Sequence, residues 1–115
     1  MSQLPFITNV DQLEEWIEAS DQQPVLLFKH STRCNISADA LEELKKYQEE
    51  FGGDSKVAII DVIEGRPVSN AIAERFGIKH ESPQAIWIKD RKAVWHASHW
   101  HITHEALKDA HPDKA

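Results

Sequence analysis

The sequence predicts an α/β domain with a central mixed sheet flanked by helices. Three observations carry this. Val25–Phe28, Val57–Ile60 and Ala85–Ile88 are short unbroken apolar runs, the signature of strands buried on both faces. Stretches with helical period stand between them, an alternation that favours a partly parallel sheet. The last run is followed, across the polar tetrapeptide Lys89–Lys92, by Ala93–Ala97, which reads as an antiparallel hairpin.

Taken in order, Leu4–Thr8 is expected to be a short strand. From Asn9 the period changes: Val10, Leu13 and Ile17 fall on one helical face with Trp16 beside them. Asn9 and Gln12 resemble a capping box, and the helix should end near Ser20, before Pro24. Val25–Phe28 is the first buried strand, and the polar run Lys29–Arg33 leads from it to Cys34. A second helix carries Ile36, Ala40, Leu44, Tyr47 and Phe51 at steps of three and four and stops at Gly52-Gly53. The strand Val57–Ile60 extends to Val62. Gly65-Arg66-Pro67 opens a third helix with Pro67 in its first turn; Val68, Ile72 and Phe76 form its apolar face and Gly77 ends it. The polar loop Lys79–Pro83 precedes the hairpin. Thr103 is expected to cap a last helix bearing Ala106, Leu107 and Ala110. The element order is therefore β-α-β-α-β-α-β-β-α, in one domain over residues 1–115 with a frayed tail at 113–115. Trp16, Trp87 and Trp95 read as core by spacing, and Trp100 as an exposed contact.

The bulk numbers narrow the function. The 115 residues suit a single core, large enough to fold without a disulfide or structural metal. Thirteen basic and nineteen acidic residues give a net charge of -6, which disfavours binding to nucleic acid or anionic membrane. No stretch is long and apolar enough to cross a bilayer. Met1–Pro5 lacks the basic and apolar segments of a secretory signal, and acidic residues among the first twenty argue against a transit peptide, so a cytoplasmic location is expected. The chain has one cysteine. It cannot form an internal disulfide, so any disulfide at Cys34 joins another molecule.

Cys34 stands between a buried strand and an amphipathic helix. A helix N-terminus offers partial positive charge and unpaired N–H groups, both of which stabilise a thiolate. Arg33 adds a full charge next to it. A reactive, low-pKa thiol is the reading that follows; the alternative is a structural cysteine, which five preceding polar residues make a poor fit. His30, on the strand leading into the site, is a candidate for tuning the thiolate. His96, His99, His101 and His104 invite a metal reading, but no cysteine and no acidic residue before Glu105 accompanies them. A solvated strand and loop is the better account of these histidines, and no metal is expected.

The segment Phe28-Lys29-His30-Ser31-Thr32-Arg33-Cys34-Asn35-Ile36-Ser37 resembles the active-site pattern F-K-H-S-x-x-C-P-I-S of the monothiol bacilliredoxins, thioredoxin-like proteins of the bacillithiol system. The likeness runs over nearly the whole chain. It implies a thioredoxin-like fold and a thiol–disulfide oxidoreductase that removes bacillithiol from protein mixed disulfides through Cys34. Bacillithiol would be the co-substrate, with no bound cofactor. The partners would be bacillithiolated client proteins and an external thiol for regeneration, in the setting of oxidative stress. Dithiol thioredoxins carry their second cysteine where this chain has Ser37, which cannot resolve a mixed disulfide. Ser37 can donate a hydrogen bond to the thiolate; equally, it is a polar residue of the first helical turn. Asn35 departs from the family's proline and frees a backbone N–H. Ser82-Pro83 stands where thioredoxin-like proteins place a cis-proline facing the cysteine, with the Ser82 backbone open to an incoming peptide. The residues implied to tune the thiolate or bind substrate are Ser37, Arg33, Asn35, His30, Thr32, Ser82 and Pro83. Two rival readings accompany this one. A glutaredoxin-type iron–sulfur carrier would have C-G-F-S where this chain has C-N-I-S. A non-catalytic thioredoxin-like binding module would use Cys34 as a regulatory thiol.

Overall fold

The computed structural model describes residues 4–31, 35–51 and 56–112. Its elements are α1 (Val10–Ala19), β1 (Val25–His30), α2 (Asn35–Phe51), β2 (Lys56–Asp61), α3 (Arg66–Phe76), β3 (Gln84–Lys89), β4 (Lys92–Ser98), a 3-10 turn (His99–His101) and α4 (His104–Asp109). The sheet order is β2-β1-β3-β4. β1 runs parallel to β2 and antiparallel to β3, and β3 and β4 form the hairpin.

All six residues of β1 are buried; the apolar run Val25–Phe28 requires this of the first four. Alternate side chains feed two cores. Val25 and Leu27 join Ile86, Ile88, Ala58 and Ile60 against Leu13 and Ile17 of α1 and Val68 and Ile72 of α3. Leu26 and Phe28 join Ala85, Trp87 and Ile59 against Ala40, Leu44 and Tyr47 of α2 and Leu107 of α4. Each helix layer thus covers one face of the sheet.

The expected first strand, Leu4–Thr8, contracts to one bridge between Phe6 and Ile59. Ile7 N donates to Ile59 O (2.9 Å) and Ile59 N to Pro5 O (2.8 Å). The ladder cannot extend toward the N-terminus because Pro5 has no N–H to give, and Thr8 N donates to Gln12 Oε1 (2.8 Å). That bond also corrects the capping box. Asn9 Oδ1 accepts from Gln12 N (2.8 Å) as expected, but the reciprocal bond reaches Thr8 rather than Asn9. The helix ends at its Ser20 cap.

The β3–β4 turn has positive φ at both Asp90 (53°) and Arg91 (65°), the requirement of a two-residue hairpin turn that matches strand twist. Ser20 anchors it: Asp90 N donates to Ser20 O (2.9 Å) and Arg91 N to Ser20 Oγ (2.8 Å). Among the described residues no helix is long and apolar enough to cross a membrane. The expected tail at 113–115 lies outside them.

Candidate functional site

β1 ends at His30 and α2 begins at Asn35, so the chain passes from a central strand to a helix N-terminus over four residues. Thr32, Arg33 and Cys34 lie outside the described residues. Cys34 directly precedes the first residue of α2 in sequence, and that 17-residue helix has no acidic side chain in its first turn. Its N-terminal partial charge is therefore not offset locally. Asn35 is exposed.

Ser37 is fully buried and its Oγ accepts the Ser31 N–H (3.3 Å). The hydroxyl oxygen thus ties Ser31, the residue after β1, to the first turn of α2. This is a role that neither sequence reading of Ser37 contained, and it rests on a donor outside the helix.

His30 is buried to 9 % exposure and stacks on Phe28, with centroids 6.0 Å apart and 26° between planes. Its Nδ1 is buried without a hydrogen-bond partner. Burial lowers its pKa, opposed by Asp61, which faces it across the parallel register, and by the Ser37 backbone; Lys45 adds to the lowering. A neutral imidazole thus sits at the strand end. The polar run before Cys34 is not a solvated flank throughout: Lys29 is also fully buried. A polar side chain after an apolar run carries no local mark of burial. Only the helices covering both faces of β1 decide it.

The Ser82-Pro83 bond is cis. Register pairs Lys29 with Gln84, so Pro83 stands one step further on, level with His30 at the same end of the sheet. His99 N donates to Pro83 O (3.0 Å), and Ser82 Oγ is buried with no partner. This end of the sheet therefore gathers His30, Ser37 and the Ser82-Pro83 loop. A cavity of about 370 Å³ opens beside the first turns of α2, lined by Ile36, Asp39, Glu43, His99, Trp100 and Ile102. Trp100 is 65 % exposed, as expected, whereas Trp87 is fully buried and Trp16 and Trp95 pack half-buried against the two cores.

The C-terminal histidines do not converge. His96, His99 and His101 are exposed, and His104 binds Glu43 through Nδ1 (2.8 Å). Among the described residues no group of three or more His, Asp or Glu is placed to hold a metal ion.

Residues 6–107 match the family described as monothiol bacilliredoxin BrxC. The chain belongs to the monothiol bacilliredoxin family. A solved structure of a candidate oxidoreductase with a thioredoxin fold is 32 % identical and superposes with a TM-score of 0.85, covering 93 % of this chain and 92 % of that one. Mitochondrial thioredoxin 3 from Saccharomyces cerevisiae is 16 % identical (TM-score 0.76; 96 % and 95 % covered). Fasciola hepatica thioredoxin is also 16 % identical (TM-score 0.73; 92 % and 94 %). The last two establish the thioredoxin fold alone. Family and fold together support a thiol–disulfide redox role.

Proposed function

We propose that the chain is a monothiol oxidoreductase that removes bacillithiol from protein mixed disulfides through Cys34. The observation that carries this is the pairing of family membership over residues 6–107 with the chain's one cysteine, set directly before the N-terminus of α2 and followed three residues on by Ser37. One thiol at a helix N-terminus can attack a disulfide and cannot resolve the product within the chain.

In the first step the Cys34 thiolate attacks the bacillithiol sulfur of the mixed disulfide. The Cys34–bacillithiol disulfide forms, the client–bacillithiol disulfide breaks, and the client leaves as a thiolate that takes a proton from water. The client is reduced and Cys34 oxidised. An external thiol, as its thiolate, then attacks bacillithiol on Cys34 and restores the free cysteine. Thr32, Arg33 and Asn35, its neighbours in sequence, are the residues assigned to tuning the thiolate. His30, neutral and buried at the strand end, adjusts its proton affinity, and Ser37 ties Ser31 to α2. Ser82 and Pro83 line the side on which a client segment lies. Bacillithiol as co-substrate, bacillithiolated proteins as partners and a reducing cytoplasm as setting all belong to this reading.

Incubating Cys34→Ser with a bacillithiolated client and following release of the client thiol tests it. Release by the wild-type protein and none by the variant is the expected result; equal release by both overturns the mechanism.

A further inference from the structure

Lys29 is fully buried within β1, an unusual place for an ammonium group. Its Nζ donates to Ser69 O on α3 (3.1 Å) and lies 3.2 Å from His80 Nδ1. Ser69 Oγ is 3.1 Å from the same nitrogen. Among the described residues no carboxylate pairs with Lys29. The ammonium can only donate, so His80 Nδ1 must offer its lone pair to Lys29 and carry its proton on Nε2. A proton on Nδ1 would point an N–H at the ammonium and remove the acceptor.

His80 lies three residues before Pro83. The same loop has a second tie, from Gln84 Nε2 to Lys79 O (3.0 Å), and Gln84 is the register partner of Lys29. Lys29 is therefore the side chain through which the strand leading to Cys34 grips the loop that ends on Ser82-Pro83.

We propose that Lys29 is a positioning residue whose buried ammonium, acting through the Nδ1 lone pair of a neutral His80, holds the Lys79–Pro83 loop in place for client docking and releases it when His80 is protonated. This deepens the reading of Cys34 as the exchange nucleophile and rests on it. The groups facing His80 are Lys29 from β1, Arg66 from α3 and Glu81 from its own loop. Burial lowers the His80 pKa, Lys29 and Arg66 lower it further, and Glu81 opposes them. Burial also pushes Lys29 down to about 8. A released loop frees His80 to its ordinary value near 6.5, so falling pH through and below that value favours release.

The test measures KM for a bacillithiol–peptide mixed disulfide, with iodoacetamide alkylation of Cys34 as a control on the thiol itself. Lys29→Met raises KM at pH 7 about tenfold, the size of one charge-assisted hydrogen bond, while alkylation stays near wild type. The wild-type KM climbs as pH falls from 7 to 5. His80→Gln, which keeps an acceptor and cannot titrate, flattens that climb, and His80→Ala reproduces the Lys29→Met loss should Lys29→Met not fold. An unchanged KM in Lys29→Met, or the same acid climb in wild type and His80→Gln, overturns the proposal. If the wild-type protein exchanges with no mixed disulfide, the functional reading falls. Histidine-ring nitrogen NMR then decides the tether alone: an Nε2–H tautomer at His80, with an Nδ1 signal that moves in the Lys29 variant, supports it, and an Nδ1–H tautomer overturns it.

Discussion

Glu43 shows how one side chain can make an element's docking depend on pH. Its Oε1 accepts from both the backbone N–H (2.9 Å) and Nδ1 (2.8 Å) of His104, and its Oε2 meets Lys46 Nζ at 3.1 Å. The His104 backbone N–H, then its ring, then Lys46 hold the carboxyl down to about 2, against an ordinary 4.5. A depressed carboxylate stabilises the fold above its unfolded pKa and loses that contribution as pH falls through the folded one. The window is therefore about 4.5 down to about 2. Glu43→Gln is expected to lower the urea midpoint at pH 7 and to match wild type near pH 2; a gap of the same size at both pH values would refute the assignment. At this scale the sequence was least legible. Nothing in the sequence sets Glu43 apart from its neighbour Glu42, yet Glu43 joins α2 to α4, because only the return of the chain at Thr103 brings His104 to it. Lys29 and Ser37 were hidden for the same reason, their acceptors and donors lying 40 and 6 residues away.

At the scale of the element, the markers that act locally read true. The third helix begins and ends where Pro67 and Gly77 indicate, with Gly77 as a left-handed C-cap at φ 65°. Thr103 Oγ1 caps α4 by accepting from Ala106 N (3.1 Å). Gly65, the N-cap of α3, has a reason that sequence could not give. Gly65 N donates to Asp61 O (2.7 Å), and a Cβ built at Gly65 would lie 2.7 Å from that same oxygen. Asp61 is itself held, its Oδ1 accepting from Ile63 N (2.8 Å) and Glu64 N (3.1 Å), so the carbonyl has little room to retreat. Gly65→Ala is expected to cost about 1–3 kcal/mol through this clash, read from urea unfolding. A cost near zero would mean that the β2–α3 turn yields freely. The strand Leu4–Thr8 failed as an element because Pro5 stands where the next ladder donor is needed, which only the pairing with Ile59 reveals.

For the molecule as a whole, the alternation of apolar runs and helical periods carried the fold, since each buried strand needs a cover on both faces. The strand order did not follow from that alternation: β1 lies between β2 and β3, and only the pairing itself reveals it. The consequence is two cores divided by the sheet, and their stability need not be equal. α4 has six residues, too few to persist without packing. It is held by Leu107, by the Glu43–His104 bonds and by Trp87 Nε1, which donates to Leu107 O (3.2 Å). The Trp87 ring also meets Tyr47 edge-on (5.9 Å, 76°) and His111 (5.0 Å, 67°). Trp87→Phe removes the N–H, leaves the Leu107 carbonyl without that donor and shrinks the ring against two aromatic partners. The expected loss is about 2–4 kcal/mol. It should fall on one layer. Amide exchange should quicken at Leu107 and Ala110, whose N–H groups close the α4 turns onto Thr103 O and Ala106 O, while Ile72 and Ala73 in α3, packed on the opposite face of the sheet, keep their protection. A uniform loss of protection in both layers would show instead that the two cores unfold as one unit.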